Sequence, residues 1–576
     1  MLNGPVETSI AMAGLTKAKQ LARRIKSLRC PSWPTLVTSD LPPRDVADRL
    51  VECYLGTIER VYRILHVPTF RKHYEKVWEP DGGRDLALLV QVKLVLALGA
   101  LTLDDKFSMR AAAIQWIYEA QSWLSVPDMK SRLGIRFVQN NILLLVAREL
   151  VAVGGDLTWI SAGTLLRVAM HMGLQRDPDR LPSTSTFVAE MRRRLWNTIV
   201  ELCVQASIGY GGAPLLSMDD FDTKPPANLD DEQLMLSDEN RDAPPLPPTD
   251  ARRTQMSVAV ALRGTLPARL AIARQLNSHS SRISYDETLR LAVELRTAHR
   301  EMARMLQASA ATSTPGGWRA NRFELQAVDY IIHRYFLALH VPFFEASLHE
   351  ATYAFSRKVV VETSLKVWLA AWPPDFASAS GAHKSAALDD SDEDVEGDET
   401  NAPAGPHALA RLILCSGGFF RTSAIQATVA IAVELKAQLA EEDGLGPATL
   451  RPDLLAVMDG ARAWSLRCVS AGETSIKGYL LSGLIAAQLR ALVRGDAPEV
   501  LLAKMVRAAE EASETCLPIL EAMLAAAELA GGSASGAGAL DGADGDLLSG
   551  VSPAVTDDWD FTVGSRSVRS GRGSLC

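Results

Sequence analysis

Residues 86–103, LALLVQVKLVLALGALTL, hold Gln91, Lys93 and Thr102 as their only polar side chains. A segment this apolar must be surrounded on all sides, by lipid or by protein. It falls short of the roughly 20 residues that usually span a bilayer and carries a cation near its middle, so it reads as a helix buried inside a folded body, with no membrane contact. The chain can build such a body: of its 576 residues, 47% are hydrophobic and 22% charged, ordinary proportions for a folded protein.

Helical periodicity extends along most of the sequence. Leu15, Ala18, Ala22, Ile25 and Leu28 recur at spacings of three and four, which aligns them on one helix face. Val46, Leu50, Cys53, Tyr54, Ile58 and Val61 do the same in one helix that starts at Leu41-Pro-Pro-Arg. Helical patterns follow over 108–124, 132–153, 159–173 and 187–208, resume over 252–306 and 318–372, and return over 408–530. Strand-type alternation is scarce and no fixed-period repeat is present, so the expected fold class is all-α.

Breaks between these patterns divide the chain. Cys30-Pro-Ser-Trp-Pro stops the first helix, because proline lacks the amide donor and disfavours helical geometry in the residue before it. Proline and acid accumulate over 218–250, predicting an extended surface segment. Eight carboxylates lie between Asp389 and Glu399, opposed over 376–407 by Lys384 alone, which predicts a disordered acidic insertion. Beyond 530 the composition GGSASGAGALDGADGDLLSG predicts a flexible tail. The expected organisation is a basic helix and linker over 1–40, a large multi-helix domain over 41–375, the insertion over 376–407, the rest of the same domain over 408–530, and a disordered tail over 531–576.

The formal net charge is -8, the opposite of the broad cationic face that non-specific nucleic-acid binding needs. Seven cysteines, odd in number and scattered, argue for a reducing compartment and no disulfide framework. The opening MLNGPVETSIAMAG lacks the basic start and apolar core of a secretory signal, so the protein is expected to stay inside the cell.

Five short stretches carry a resemblance. Tyr62-Arg63-Ile64-Leu65-His66-Val67-Pro68-Thr69-Phe70 comes first, then Met172 to Pro178 at a helix end, Arg192-Arg193-Arg194-Leu195-Trp196 at a helix start, and Gly212 to Pro214 in a turn. A loop closing on Pro226-Ala227-Asn228-Leu229-Asp230-Asp231 follows. In this order they resemble the middle homology region of the fungal zinc-cluster transcription factors, most clearly over 41–231 and more weakly over 320–372. Ala213 stands where that family's turn often has arginine, and Asn197 replaces its second aromatic after the tryptophan. The six closely spaced cysteines that hold two zinc ions ahead of this region in the family have no counterpart here: Cys30 stands alone in the first 50 residues, and zinc needs clustered ligands. Zinc is therefore expected only if an upstream six-cysteine module exists, and no other cofactor is expected.

The resemblance implies a regulatory domain controlling transcription by RNA polymerase II, of a metabolic or secondary-metabolite pathway, in the nucleus. Its implied partners are transcriptional co-regulators, DNA through a module missing from this chain, a small-molecule effector, and a second copy in a homodimer. A helical scaffold or co-regulator without DNA binding is the alternative, and an all-helical enzyme a more distant one. Asp104-Asp105, Asp219-Asp220 and Asp230-Asp231 lack a further acid at the spacing of a magnesium-binding cluster. Gly209-Tyr210-Gly211-Gly212 follows a helix where a dinucleotide loop follows a strand. No phosphate-loop, nucleophile-elbow or HExxH motif occurs, so no catalytic, cofactor-binding or metal residue is assigned and the chain is read as a non-enzyme.

Two segments are candidates for other roles. Six basic residues against one acid in the first 30 make Arg23, Arg24, Lys26 and Arg29 the nuclear-import candidate, with an accessory DNA contact or an ordinary solvated helix face as the alternatives. Trp559 and Phe561, set among acids near the C-terminal end, are the candidate activation segment, of the acidic-aromatic kind that folds onto coactivator grooves. His66, Trp196 and the three arginines read as packing, capping or surface residues.

Overall fold

The computed structural model describes residues 10–79, 85–126, 133–154, 157–182, 184–239, 253–278, 284–308, 321–379, 405–441 and 450–534. The helix Leu86–Leu103 lies at the centre of the helical body. Asp85 caps its start, accepting the Leu88 amide at 3.0 Å, and every residue from Leu88 to Thr102 is buried. The helices Arg44–Leu55, Arg110–Leu124, Ile135–Val151 and Ala408–Cys415 pack around it. Each leucine or valine withdrawn from water here contributes about 1.5–3 kcal/mol. Its polar side chains have partners, as burial demands. Lys93 donates to the Thr38 carbonyl at 2.6 Å and pairs with Glu119, while Gln91 donates to Gln139 at 3.2 Å.

Among the described residues there is no strand, and the fold is all-α. Leu86–Leu103 is long and apolar enough to cross a membrane, yet 83% of it is buried inside the protein. Arg322–His340, Ala354–Ala371, Gly418–Ala440, Pro452–Ser470 and Lys477–Val493 continue the body, each packed on the next. One hydrophobic core runs through both parts, from Ala47 to Leu489. The acidic insertion therefore interrupts the sequence without dividing the core. Residues 1–527 make one compact unit; of the second, 528–576, the described part is the end of the helix Pro498–Ala534.

A smaller core forms where the helix Ile10–Arg29 lies against Pro498–Ala534, with Ala18 and Ile25 meeting Ala512, Cys516 and Leu520. Arg29 closes the contact by donating to the Gly472 carbonyl at 2.8 Å.

The structure departs from the sequence pattern in four places. The helix expected from Leu41 onwards breaks at Gly56-Thr57 into Arg44–Leu55 and Ile58–Tyr62, and ends on Arg63 in the left-handed conformation at φ 51°. The segment 218–250 is not extended throughout: its prolines stand on either side of a proline-free stretch, which forms the helix Asp231–Glu239 with acids in its first turn, where the helix dipole favours them. The helix Pro374–Ala379 runs past the expected start of the insertion, with Phe376 buried against Trp372. The last helix continues to Ala534, beyond 530.

Candidate functional site

Three of the five stretches, 62–70, 192–196 and the loop ending at Asp231, meet at that one buried carboxylate across up to 168 positions of sequence. The short helix Ile58–Tyr62 stops so that Arg63 turns inward and donates to Asp231 Oδ1 at 2.8 Å. Arg194, in the helix Thr186–Tyr210, donates to the same oxygen at 2.5 Å. Asp231 Oδ2 accepts the Val67 amide at 2.9 Å, at the start of the helix Val67–Val77. His66 caps that helix: Nδ1 accepts from the Thr69 hydroxyl at 2.7 Å, and Nε2–H donates to the Asp231 carbonyl at 2.9 Å. Since a carbonyl only accepts, this pairing fixes the tautomer. Burial alone would raise the Asp231 pKa, but Arg63 and Arg194 together lower it to about 2, so both oxygens stay ionised acceptors.

The three consecutive arginines point about 100° apart and each holds a different segment; none serves as a free surface charge. Arg192 donates to the Met172 and Gly173 carbonyls at 3.1 and 2.7 Å, fixing the preceding helix end, where Gly173 has φ +74°. Arg193 grips Asp177 through two bonds of 2.7 and 3.0 Å and also reaches Glu190 at 2.6 Å. Asp177 in turn accepts the Lys224 amide and Glu190 the Ala227 amide, both at 2.9 Å, so the proline-rich loop is held along its length. Arg194 completes the set at Asp231. Trp196 is 1% exposed and packs edge-on against Phe221 of that loop at 5.5 Å.

A second carboxylate adjoins the junction. Glu59 is fully buried and accepts from the Tyr54 hydroxyl at 2.7 Å and the Leu65 amide at 2.9 Å. Burial pushes its pKa up to about 7, against the opposing effect of Arg63. A carboxyl with a raised folded-state pKa binds its proton more tightly in the folded chain. Its contribution is complete below the unfolded value near 4.5 and is lost as pH rises through about 7, a change of about 3 kcal/mol. Glu59→Gln removes the titration. The variant's melting temperature relative to the original chain should therefore be higher at pH 8 than at pH 5; an equal difference at both would rule this out.

The Gly-rich turn is built by close packing. A Cβ on Gly212 would come within 2.3 Å of the Trp159 ring, and Gly211 has φ +66°, conformations and distances that favour glycine. Trp159 Nε1 donates to the Ala213 carbonyl at 3.3 Å, a backbone contact for which the side chain at 213 is immaterial.

The import candidates sit on the helix Ile10–Arg29, with Arg23, Arg24 and Lys26 exposed and Arg29 half-buried in the contact with Gly472. Trp559 and Phe561 lie outside the described residues. Among the described residues no three His, Cys, Asp or Glu side chains converge to hold a metal ion. Cys30 lies with its sulfur 2.8 Å from the Tyr118 hydroxyl. Asp105 is engaged by Arg411 and Arg467, and Asp220 serves the cap of a single turn at Met218–Asp220. Missed in the sequence were Arg63, Glu59 and the role of Asp231; the signal available for Asp231 was its place at the end of a recognised motif.

Residues 52–284 match the model of the fungal specific transcription factor domain. The chain is 30% identical over 519 residues to the transcription factor opdR of Penicillium oxalicum, covering 85% of this chain and 62% of that protein. It is 36% identical over 359 residues to the transcription factor lepE of Aspergillus flavus, covering 61% of this chain and 42% of that protein. With the aspyridones cluster regulator apdR of Emericella nidulans it shares 30% over 375 residues, 63% of this chain and 46% of the relative. The chain thus spans 42–62% of the length of these relatives. No solved structure matches it.

Proposed function

Through residues 52–284 the chain belongs to the fungal specific transcription factor domain family, and from that premise we propose that it regulates RNA polymerase II transcription of a biosynthetic gene set from the nucleus. The observation that carries this reading is the convergence of three of the family-like motifs on Asp231, where they assemble one ionic junction. A domain held at such a junction is a scaffold on which regulatory contacts can be organised. The role of one relative, apdR, as a cluster regulator supports the choice of a biosynthetic gene set.

In this reading the helical body receives co-regulators and a small-molecule effector, and self-associates as a homodimer. DNA contact requires a module missing from this chain, and zinc enters only if that module is an upstream six-cysteine one. The second reading, a co-regulator that reaches DNA only through a partner, is favoured by the wide scatter of the seven cysteines. Arg23, Arg24 and Lys26 supply the exposed import surface, and Trp559 and Phe561 the activation contact.

One tagged chain tests these roles. Fused to an unrelated DNA-binding domain, it should change transcription of a reporter, and Trp559→Ala with Phe561→Ala should remove most of that change. Without the fusion, replacing Arg23, Arg24 and Lys26 by alanine should shift its fluorescence from nucleus to cytoplasm. A silent reporter rejects the regulatory reading, and unaltered localisation rejects the import surface.

A further inference from the structure

The helices Tyr285–Ala308, Arg322–His340 and Ala354–Ala371 pack together and border a cleft of about 510 Å³. Arg296 and Arg300 line it from the first helix, Lys358 and Lys366 from the third, and Phe336 and Val359 give it an apolar surface. Among the described residues none of the four cations forms an ion pair or hydrogen bond; Arg296 stacks over Phe355 at 5.5 Å. The acids nearby are already engaged: Glu362 with Arg451 at 3.2 Å, and Asp329 with His299 and His333 at 3.0 and 3.2 Å.

The chain carries 68 acids against 60 Lys and Arg, and elsewhere cations such as Arg63, Arg193, Arg269 and Arg357 meet carboxylates; of the four at the cleft, Arg296 is half-buried and Arg300, Lys358 and Lys366 are exposed. Among the described residues, Glu362 is the one carboxylate that lines the concavity, and it is paired with Arg451; the four cations around it repel one another, and an anion bound between them relieves that repulsion. The volume falls within the range of small-molecule sites.

We propose that this cleft binds a small organic anion with at least two negative charges, its charged ends reaching the arginines of one helix and the lysines of the other, its body against Phe336 and Val359. A nucleic-acid backbone fits less well, since phosphodiesters gain nothing from an apolar surface in a concavity. As an effector site the cleft rests on the transcriptional reading, but binding itself does not: a chain that binds anions and leaves transcription unchanged keeps the site and loses the function.

The test is calorimetric titration of the purified full chain with citrate and with inorganic pyrophosphate at constant ionic strength, beside an Arg300→Ala, Lys366→Ala double variant. Both residues are exposed, and unchanged helical circular dichroism verifies that the variant folds. Saturable binding of at least one probe, weakened at least about tenfold in the variant, is expected. No saturable binding of either probe, or equal affinity in the variant, overturns the proposal. So does binding of random-sequence duplex DNA that the variant loses while neither small anion binds, which assigns the cations to a phosphodiester backbone.

Discussion

Asp231→Ala is expected to destabilise the folded chain by about 3–5 kcal/mol, because removing one member of a buried ion pair leaves the other charge uncompensated. Here two charges are left. The Arg63 and Arg194 side chains are 5% and 1% exposed, and neither can turn to water without opening the core. The Val67 amide also loses its acceptor at the start of a helix. Arg290→Ala provides the contrast: that ion pair with Glu287 is exposed on both sides, and such solvent-screened pairs contribute little. Thermal unfolding followed by circular dichroism measures both variants, and a midpoint for Asp231→Ala as high as that of Arg290→Ala would contradict the role given to the junction. Acid should act in the same direction. With the folded pKa lowered to about 2, the contribution of Asp231 is present above the unfolded value of 3.8 and is lost as pH falls through about 2.

The second large effect is at Gly99, where two physical effects oppose each other in sign. Helix propensity alone favours alanine over glycine by about 1 kcal/mol. In the helix Leu86–Leu103, however, a Cβ at 99 would stand 1.9 Å from the Leu50 carbonyl oxygen and 2.8 Å from its carbon. Both belong to the backbone of the helix Arg44–Leu55, so no side-chain rotation relieves the contact and the helices must separate. Overpacking typically costs 1–3 kcal/mol and sometimes more, and with backbone against backbone Gly99→Ala is expected to cost about 3 kcal/mol net. Gly264→Ala, which meets nothing within 4 Å, should be neutral or mildly stabilising by the same melting measurement. Equal effects at the two glycines would show that the close approach of the helices is not a constraint.

The fold was legible wherever one segment carried its own signal. Leu86–Leu103 has the same ends in the sequence pattern and in the structure, because a strongly apolar run bounded by Asp85 and Asp104 needs no distant partner to be recognised. His66 and Trp196 were likewise readable as capping and core residues. Where composition was averaged over too long a window the reading failed: the prolines around the helix Asp231–Glu239 concealed it.

The site was less legible than the fold. Asp231 meets Arg194 across 37 positions and Arg63 across 168, and no local pattern encodes such a pairing. The three arginines read in sequence only as structural or surface residues, because their partners are carbonyls and carboxylates brought in by other segments. The cations of the cleft are ordinary solvent-facing residues in sequence, and only the packing of three helices gathers them.

The central claim, that this chain controls transcription, is tested most directly by sequencing RNA from a strain lacking it and from the same strain with the chain restored. The account predicts that transcripts of a coherent set of biosynthetic genes change on loss, return with the original chain, and do not return with Asp231→Ala. An identical transcript profile with and without the chain, under conditions in which the protein is made, would contradict it.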